Sequence, residues 1–245
     1  MQALKRRLLG GLIVSASTLG LLSNTATAAS ASPDKDVQRL LAIHEVQNLM
    51  TRYAQDNWNE QFDDLMEYIA LDMPDVHINV PSPLVGGAAI RKGYEDRMAK
   101  RAAGKSTPGI MHIHANSSPF IEVAGDLKTA RGVWDSYGPD IGSGDIPGNV
   151  VYSRYAVDFI NQNGRWKIWH IQLYPVIGTA SDKSLTQGAK ERAAAAKAST
   201  APPVMIPTSD GKSIPLWRYD GVSQTPANYP KLPKPYQTFD PKDSY

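Results

Sequence analysis

Residues 109–137 read GIMHIHANSSPFIEVAGDLKTARGVWDSY, and within them the apolar spacing stops being helical and becomes alternating. Ala124-Gly125-Asp126 sits between two alternating runs and reads as a hairpin turn. Just upstream, two of the chain's five histidines, His112 and His114, lie two residues apart, so on a strand they share a face. That pair suits a metal clip, two acid/base groups, or polar residues on a wet face.

Working outward, three alternating segments run over about 110–124, 127–138 and 149–162, and a fourth from Arg165 to Tyr174. Asn161-Gln162-Asn163-Gly164 marks a second hairpin turn. Residues 138–149, GPDIGSGDIPGN, read as a glycine-rich loop long enough to form a flap over a site. Upstream the period is helical from Asp34 to about Tyr68, with Val37, Leu40, Leu41, Ile43, Val46, Leu49, Met50 and Tyr53 on one face. Ser32 is the expected N-cap, with Pro33 at the first helical position. A break near Asn57 separates this helix from EQFDDLMEYIA. PDVHINVPSP then reads as a short strand, and VGGAAIRKGYEDRMAKRAAGK as a third helix ending at Gly104. The order α-α-β-α-β-β-β-β predicts an α+β fold, a curved antiparallel sheet with helices packed on one face.

The chain opens MQALKRRLLGGLIVSASTLGLLSNTATAAS, a basic start, an apolar stretch and an Ala26-Thr27-Ala28 cleavage pattern. Residues 1–30 are therefore expected to be a secretory signal peptide and the mature protein periplasmic. There is no Cys, so stability is expected to come from a hydrophobic core without disulfides. Losing Lys5, Arg6 and Arg7 takes the formal charge from +2 to −1, which argues against nucleic acid or an anionic membrane as partner. Residues 179–200 read as an alanine-rich helix. The tail beyond is rich in proline and also in aromatic residues, unlike a disordered linker, and is expected to dock as an extended arm on its own domain or a neighbour.

IHEVQNLMTRYAQDNWNEQFDDLMEYIA, HANSSPFIEVAGDLKTARGVW and NGRWKIWHIQLYPV together resemble the SnoaL-like branch of the nuclear-transport-factor-2-like superfamily, which includes scytalone dehydratase and polyketide cyclases. The resemblance spans about residues 36–177 and implies a cone with a deep apolar pocket, within a domain taken as 34–178. It also implies metal-free chemistry without a cofactor, with His114 as the pocket's general acid/base, and assembly as a homodimer or homotrimer through the sheet face and the arm. An acid near the end of the first helix is the histidine's usual partner, but Trp58 stands there, leaving Asp56 as the substitute if the helix end is rewound. In style the chain looks most like members from bacteria that degrade aromatic compounds, among them γ-formaldehyde lyases acting on lignin-derived dimers.

The remaining candidates come from the pattern of residues. His112 shares the face of His114, and Trp58 would form a wall suited to a flat aromatic ligand. Tyr53, on the inner helix stripe, could polarise or protonate an oxygen. Alternation adds Trp134 and Tyr155, and places Trp166, Ile168, His170, Gln172 and Tyr174 on one face of the last strand. Arg131 and Arg154 read as surface or interface charges, either of which could hold a phenolate or carboxylate, and His77 and His44 as residues outside the site. No nucleophile elbow, phosphate loop or reactive thiol is present. The expected function is a cofactor-independent lyase or dehydratase using His114 with Tyr53 or Asp56 on a small aromatic molecule, with formaldehyde release from a lignin-type dimer as its specific form. The alternative is a non-catalytic module binding a hydrophobic small molecule.

Overall fold

A computed structural model of the chain describes residues 34–80, 83–103, 111–142, 147–203, 205–207, 213–226 and 229–245. The expected signal peptide and the helix stop at Gly104 lie outside the described residues. Helix α1, Lys35–Trp58, is capped by Asp34, whose carboxylate accepts from the Asp36 N–H at 3.4 Å; the expected cap Ser32 and Pro33 lie outside the described residues. Asp34 stands directly before the first helical residue, and its short side chain accepts as well as a serine does. Ala42, Val46, Met50, Tyr53 and Ala54 are buried, whereas Val37, Leu40 and Leu41 are exposed, so the apolar stripe packs only from Ala42 onward. Glu60 has φ 54°, a left-handed turn that ends the helix before α2, Phe62–Glu67.

Next come β1, His77–Asn79, β2, Pro83–Val85, and α3, Gly87–Ala102. They are followed by β3, Met111–His112, β4, Ala115–Val123, β5, Thr129–Ile141, β6, Asn149–Gln162, and β7, Arg165–Ala180. The sheet order is β2-β1-β7-β6-β5-β3, with β4 also on β5. All its pairs are antiparallel except β1 with β7. Asn163 and Gly164 both take positive φ, 54° and 81°, as a tight hairpin turn between β6 and β7 requires.

The loop expected over 138–149 is shorter, because β5 continues to Ile141 and pairs Asp140 with Asn149 of β6 and with His112 of β3. Gly138 permits this: a Cβ there would lie 1.6 Å from the Ile113 carbonyl oxygen. Three irregularities redirect side chains: an extra Val176 in β7 between the partners of Tyr152 and Ser153, and two more. One residue is inserted in β4 between Ser117 and Phe120, where Ser118 has φ 50°. The other inserted residue of β7 is Trp169, since Phe159 pairs with Ile168 and Asp158 with His170. Simple alternation therefore fails there. Trp166, Ile168 and Ile171 enter the core with Val46, Met50, Tyr94, Val157 and Phe159, while His170 and Tyr174 turn to the opposite face. Burial of each such large side chain contributes about 1.5–3 kcal/mol.

Beyond β7, α4, Leu185–Ala198, starts at Ser184, whose hydroxyl accepts from the Gln187 N–H. A small hairpin of β8, Met205–Pro207, and β9, Ser213–Pro215, follows. The arm lies across the outer face of the sheet, where Tyr229 and Tyr245 pack with Val133, Ala156 and Tyr174. Asp158, fully buried on that face, accepts from the Tyr245 N–H at 2.9 Å and the Ser244 hydroxyl at 2.6 Å. Arg131 bonds Asp158 at 3.2 Å and stacks its guanidinium over the Tyr245 ring, so it is buried and not a surface charge.

Candidate active site

A cavity of about 470 Å³ opens between the end of α1, α3 and the edge formed by β3 and β4. Tyr53, Trp58, His112, His114 and Tyr155, five residues nominated from sequence, line it. Asn57, Arg97, Lys100 and Asn116 on the same walls were not nominated.

The two histidines converge on one acid. His114 Nε2 lies 2.9 Å and His112 Nδ1 2.7 Å from the same oxygen, Oδ1 of Asp140. An ionised carboxylate only accepts, so each neutral ring must present an N–H to it. The remaining lone pairs are then on His112 Nε2 and His114 Nδ1. His114 and Asp140 are partly buried, whereas the His112 side chain is 63% exposed. The backbone of His114 is held as well, because Trp58 Nε1 donates to its carbonyl at 3.0 Å.

Tyr53 is buried, with its ring edge-on to Tyr155 at 6.0 Å. Burial, aided by the phenols of Tyr94 and Tyr155, raises its pKa well above the ordinary value, so its hydroxyl stays protonated at neutral pH. Burial likewise raises Tyr155. Asn116 bonds the Met50 carbonyl through its amide nitrogen at 3.4 Å, while its Oδ1 is buried without a partner.

The SnoaL-like domain family matches residues 36–172, more than half of the chain. The chain belongs to this family. Its largely antiparallel sheet with helices packed against it has the α+β architecture expected from the sequence. Among solved structures it is similar to a candidate scytalone dehydratase from Novosphingobium aromaticivorans, at 16% identity and TM-score 0.48 over 61% of this chain and 94% of that one. A hexachlorocyclohexane dehydrochlorinase from Novosphingobium barchaimii is similar at 13% identity and TM-score 0.47, covering 59% and 93%. A superfamily protein from Salmonella enterica serovar Typhimurium is similar at 14% identity and TM-score 0.45, covering 59% and 98%. No curated protein matches the chain in sequence.

Three nominated residues of this SnoaL-like protein stand elsewhere. Asp56 accepts from the Tyr68 hydroxyl at 2.8 Å and pairs with Arg52 at 3.4 Å; it does not line the cavity and does not meet His114. The helix end is not rewound, since α1 stays regular to Trp58. Trp134 lies on the inner face but is filled in as core, edge-on to Phe159 at 5.8 Å. His170, displaced by the Trp169 insertion, stacks on His77 on the outer face and bonds Asp158 at 2.9 Å. Arg154 pairs there with Asp135 at 3.0 Å. Asp140 was missed because it was assigned to a loop. Strand pairing carried three residues past Tyr137 would have set it opposite His112. Both imidazoles aim at one carboxylate oxygen, and among the described residues no group of three His, Asp or Glu is arranged to hold a metal ion.

Proposed function

We propose that this SnoaL-like protein is a cofactor-independent lyase acting on a small aromatic molecule, with His114 as general acid/base. The observation that carries the reading is the bond between His114 and Asp140 at the wall of an aromatic-lined cavity. A carboxylate fixes the imidazole's tautomer and orientation, which is what proton shuttling needs. Trp58 and Tyr155 supply flat walls for a ring.

In its specific form the substrate is a lignin-type dimer, a 1,2-diarylpropane-1,3-diol with a free 4-hydroxyl on the first ring. Protonating the benzylic hydroxyl releases water, and loss of the phenolic proton gives a quinone methide. A base then takes the γ-hydroxyl proton. The new C=O leaves as formaldehyde, and the electron pair of the broken C–C bond restores the aromatic ring. Atoms and electrons balance without an oxidant. Tyr53 lines the cavity with its hydroxyl protonated at neutral pH, and its role in this reading is to hydrogen-bond an oxygen of the substrate. Acid–base positioning of this kind contributes about 10²- to 10⁴-fold in rate.

The test is formaldehyde release and stilbene absorbance from such a diol. His114→Gln and Asp140→Asn are expected to lower the rate at least tenfold while ligand binding persists. Unchanged turnover in His114→Gln would remove it from the mechanism. Binding without turnover in the wild type would instead make the protein a module that holds hydrophobic ligands.

A further inference from the structure

The walls of the cavity differ in charge. Arg97 and Lys100 line it from α3, three residues apart and therefore on one helix face. Among the described residues neither has an acid within 4.0 Å. On the same helix Lys92 pairs with Asp96 at 3.1 Å, and Arg52 on α1 pairs with Asp56 and Glu67. Of the acids near the cavity, Glu60 already has a partner, and Asp140 is engaged by both histidines. The Arg97 guanidinium is set 5.0 Å over the centroid of the buried Tyr94 ring, which restrains it beside the cavity.

We infer that the substrate of this site is an aromatic carboxylate, whose anionic group is taken by Arg97 and Lys100 while the reacting carbons lie at His114. This rests on the lyase reading for the reacting end alone, and it requires the diol of that reading to carry a carboxylate on its second ring. A guanidinium fork matches the two oxygens of a carboxylate, and a lysine adds a second point charge. An un-ionised phenol gains far less from two cations, and phenols keep their proton until about pH 10. Both side chains are exposed, so the attraction is screened by salt and contributes selectivity and capture more than tight binding.

The test is calorimetric titration of the full chain with trans-cinnamate, methyl cinnamate and 4-nitrophenolate at low and high salt. Cinnamate is expected to bind about tenfold more tightly than its ester at low salt, the combined effect of two exposed ion pairs. The preference should shrink in 0.5 M salt (a value set on the order of full screening). Arg97→Gln/Lys100→Gln should abolish it without weakening the ester, and Arg97→Glu/Lys100→Glu should reverse it; unchanged melting checks that both variants fold. Equal affinities in the wild type, no binding of cinnamate, tighter binding of 4-nitrophenolate, or a preference that survives charge reversal would each overturn the inference. Binding is read without turnover, so loss of the preference leaves the role of His114 standing. A preference alongside unchanged turnover in His114→Gln would remove that role alone.

Discussion

Trp58 and His114 are joined across 56 residues of sequence by one hydrogen bond, indole N–H to backbone carbonyl, at 3.0 Å. The end of α1 thereby fixes the backbone that presents the imidazole. Trp58→Phe keeps an aromatic wall and removes the donor. It should cost about 1 kcal/mol of stability, in line with a typical lost hydrogen bond. It should also lower kcat more than ligand affinity, since His114 is less well placed. Chemical denaturation and steady-state rates on the same preparation check both.

Tyr53 should act as a fixed donor, never as a base. Burial raises its pKa well above the ordinary value, so it does not titrate near neutrality. Tyr53→Phe is expected to lower the rate about tenfold or more, as for loss of one aimed donor. It should leave the shape of the pH–rate profile between about pH 6 and 9 unchanged, a range below the ordinary tyrosine value. A limb of that profile that vanishes in the variant would assign Tyr53 an ionised role.

Gly138 lets β5 approach the chain between the two histidines. A methyl group there would lie 1.6 Å from the Ile113 oxygen, and the contact is backbone, which cannot swing aside. Gly138→Ala should displace the 112–114 segment from Asp140 and abolish turnover, with a lower melting temperature. Faster amide exchange at Ile113, whose N–H donates to Pro139, would report the displacement directly.

The outer face carries the acid sensitivity. Burial pushes the Asp158 carboxyl up, but the bond and charge of His170, with Arg131 and Ser244, outweigh it and hold it below the usual carboxylate range. A depressed folded pKa means the stabilisation is complete above the unfolded value of about 4 and is lost as pH falls through the folded one. Asp158→Asn should cost about 3 kcal/mol or more at neutral pH by leaving a buried Arg131 without its charge partner. It should also flatten the fall in melting temperature below about pH 4. The arm would loosen, and limited proteolysis near residues 229–245 should become faster. None of the cavity's described lining comes from this arm, so ligand affinity should survive.

Much of the cone was legible because its signals are local. The stripe from Val46 to Tyr53, the turn at Asn163-Gly164 and the four long alternating runs each follow from spacing and turn chemistry. Failures came where one residue is added or a strand runs on. Alternation counts positions, so the one-residue insertion at Trp169 carried His170 to the wrong face. Glycines at 138 and 142 suggested a loop, yet strand pairing continues through Gly138 to Ile141, which hid Asp140. Asp56 was assigned by its distance along the helix from Trp58, and chain distance says nothing of the Tyr68 hydroxyl that holds it outside.

The bond from the Tyr245 N–H to Asp158 spans 87 residues, and it sets an order of assembly. The β5, β6 and β7 hairpins can close as soon as they are made, since their partners are neighbours in sequence. The carboxylate in their midst receives its last donors only when the final arm residues arrive. Contacts of such long separation form late and slowly. Until then the outer face, with Val133, Ala156 and Tyr174, is open to water and to other chains. The same face that ends buried beneath the arm is therefore the part most in need of protection while the chain is being made.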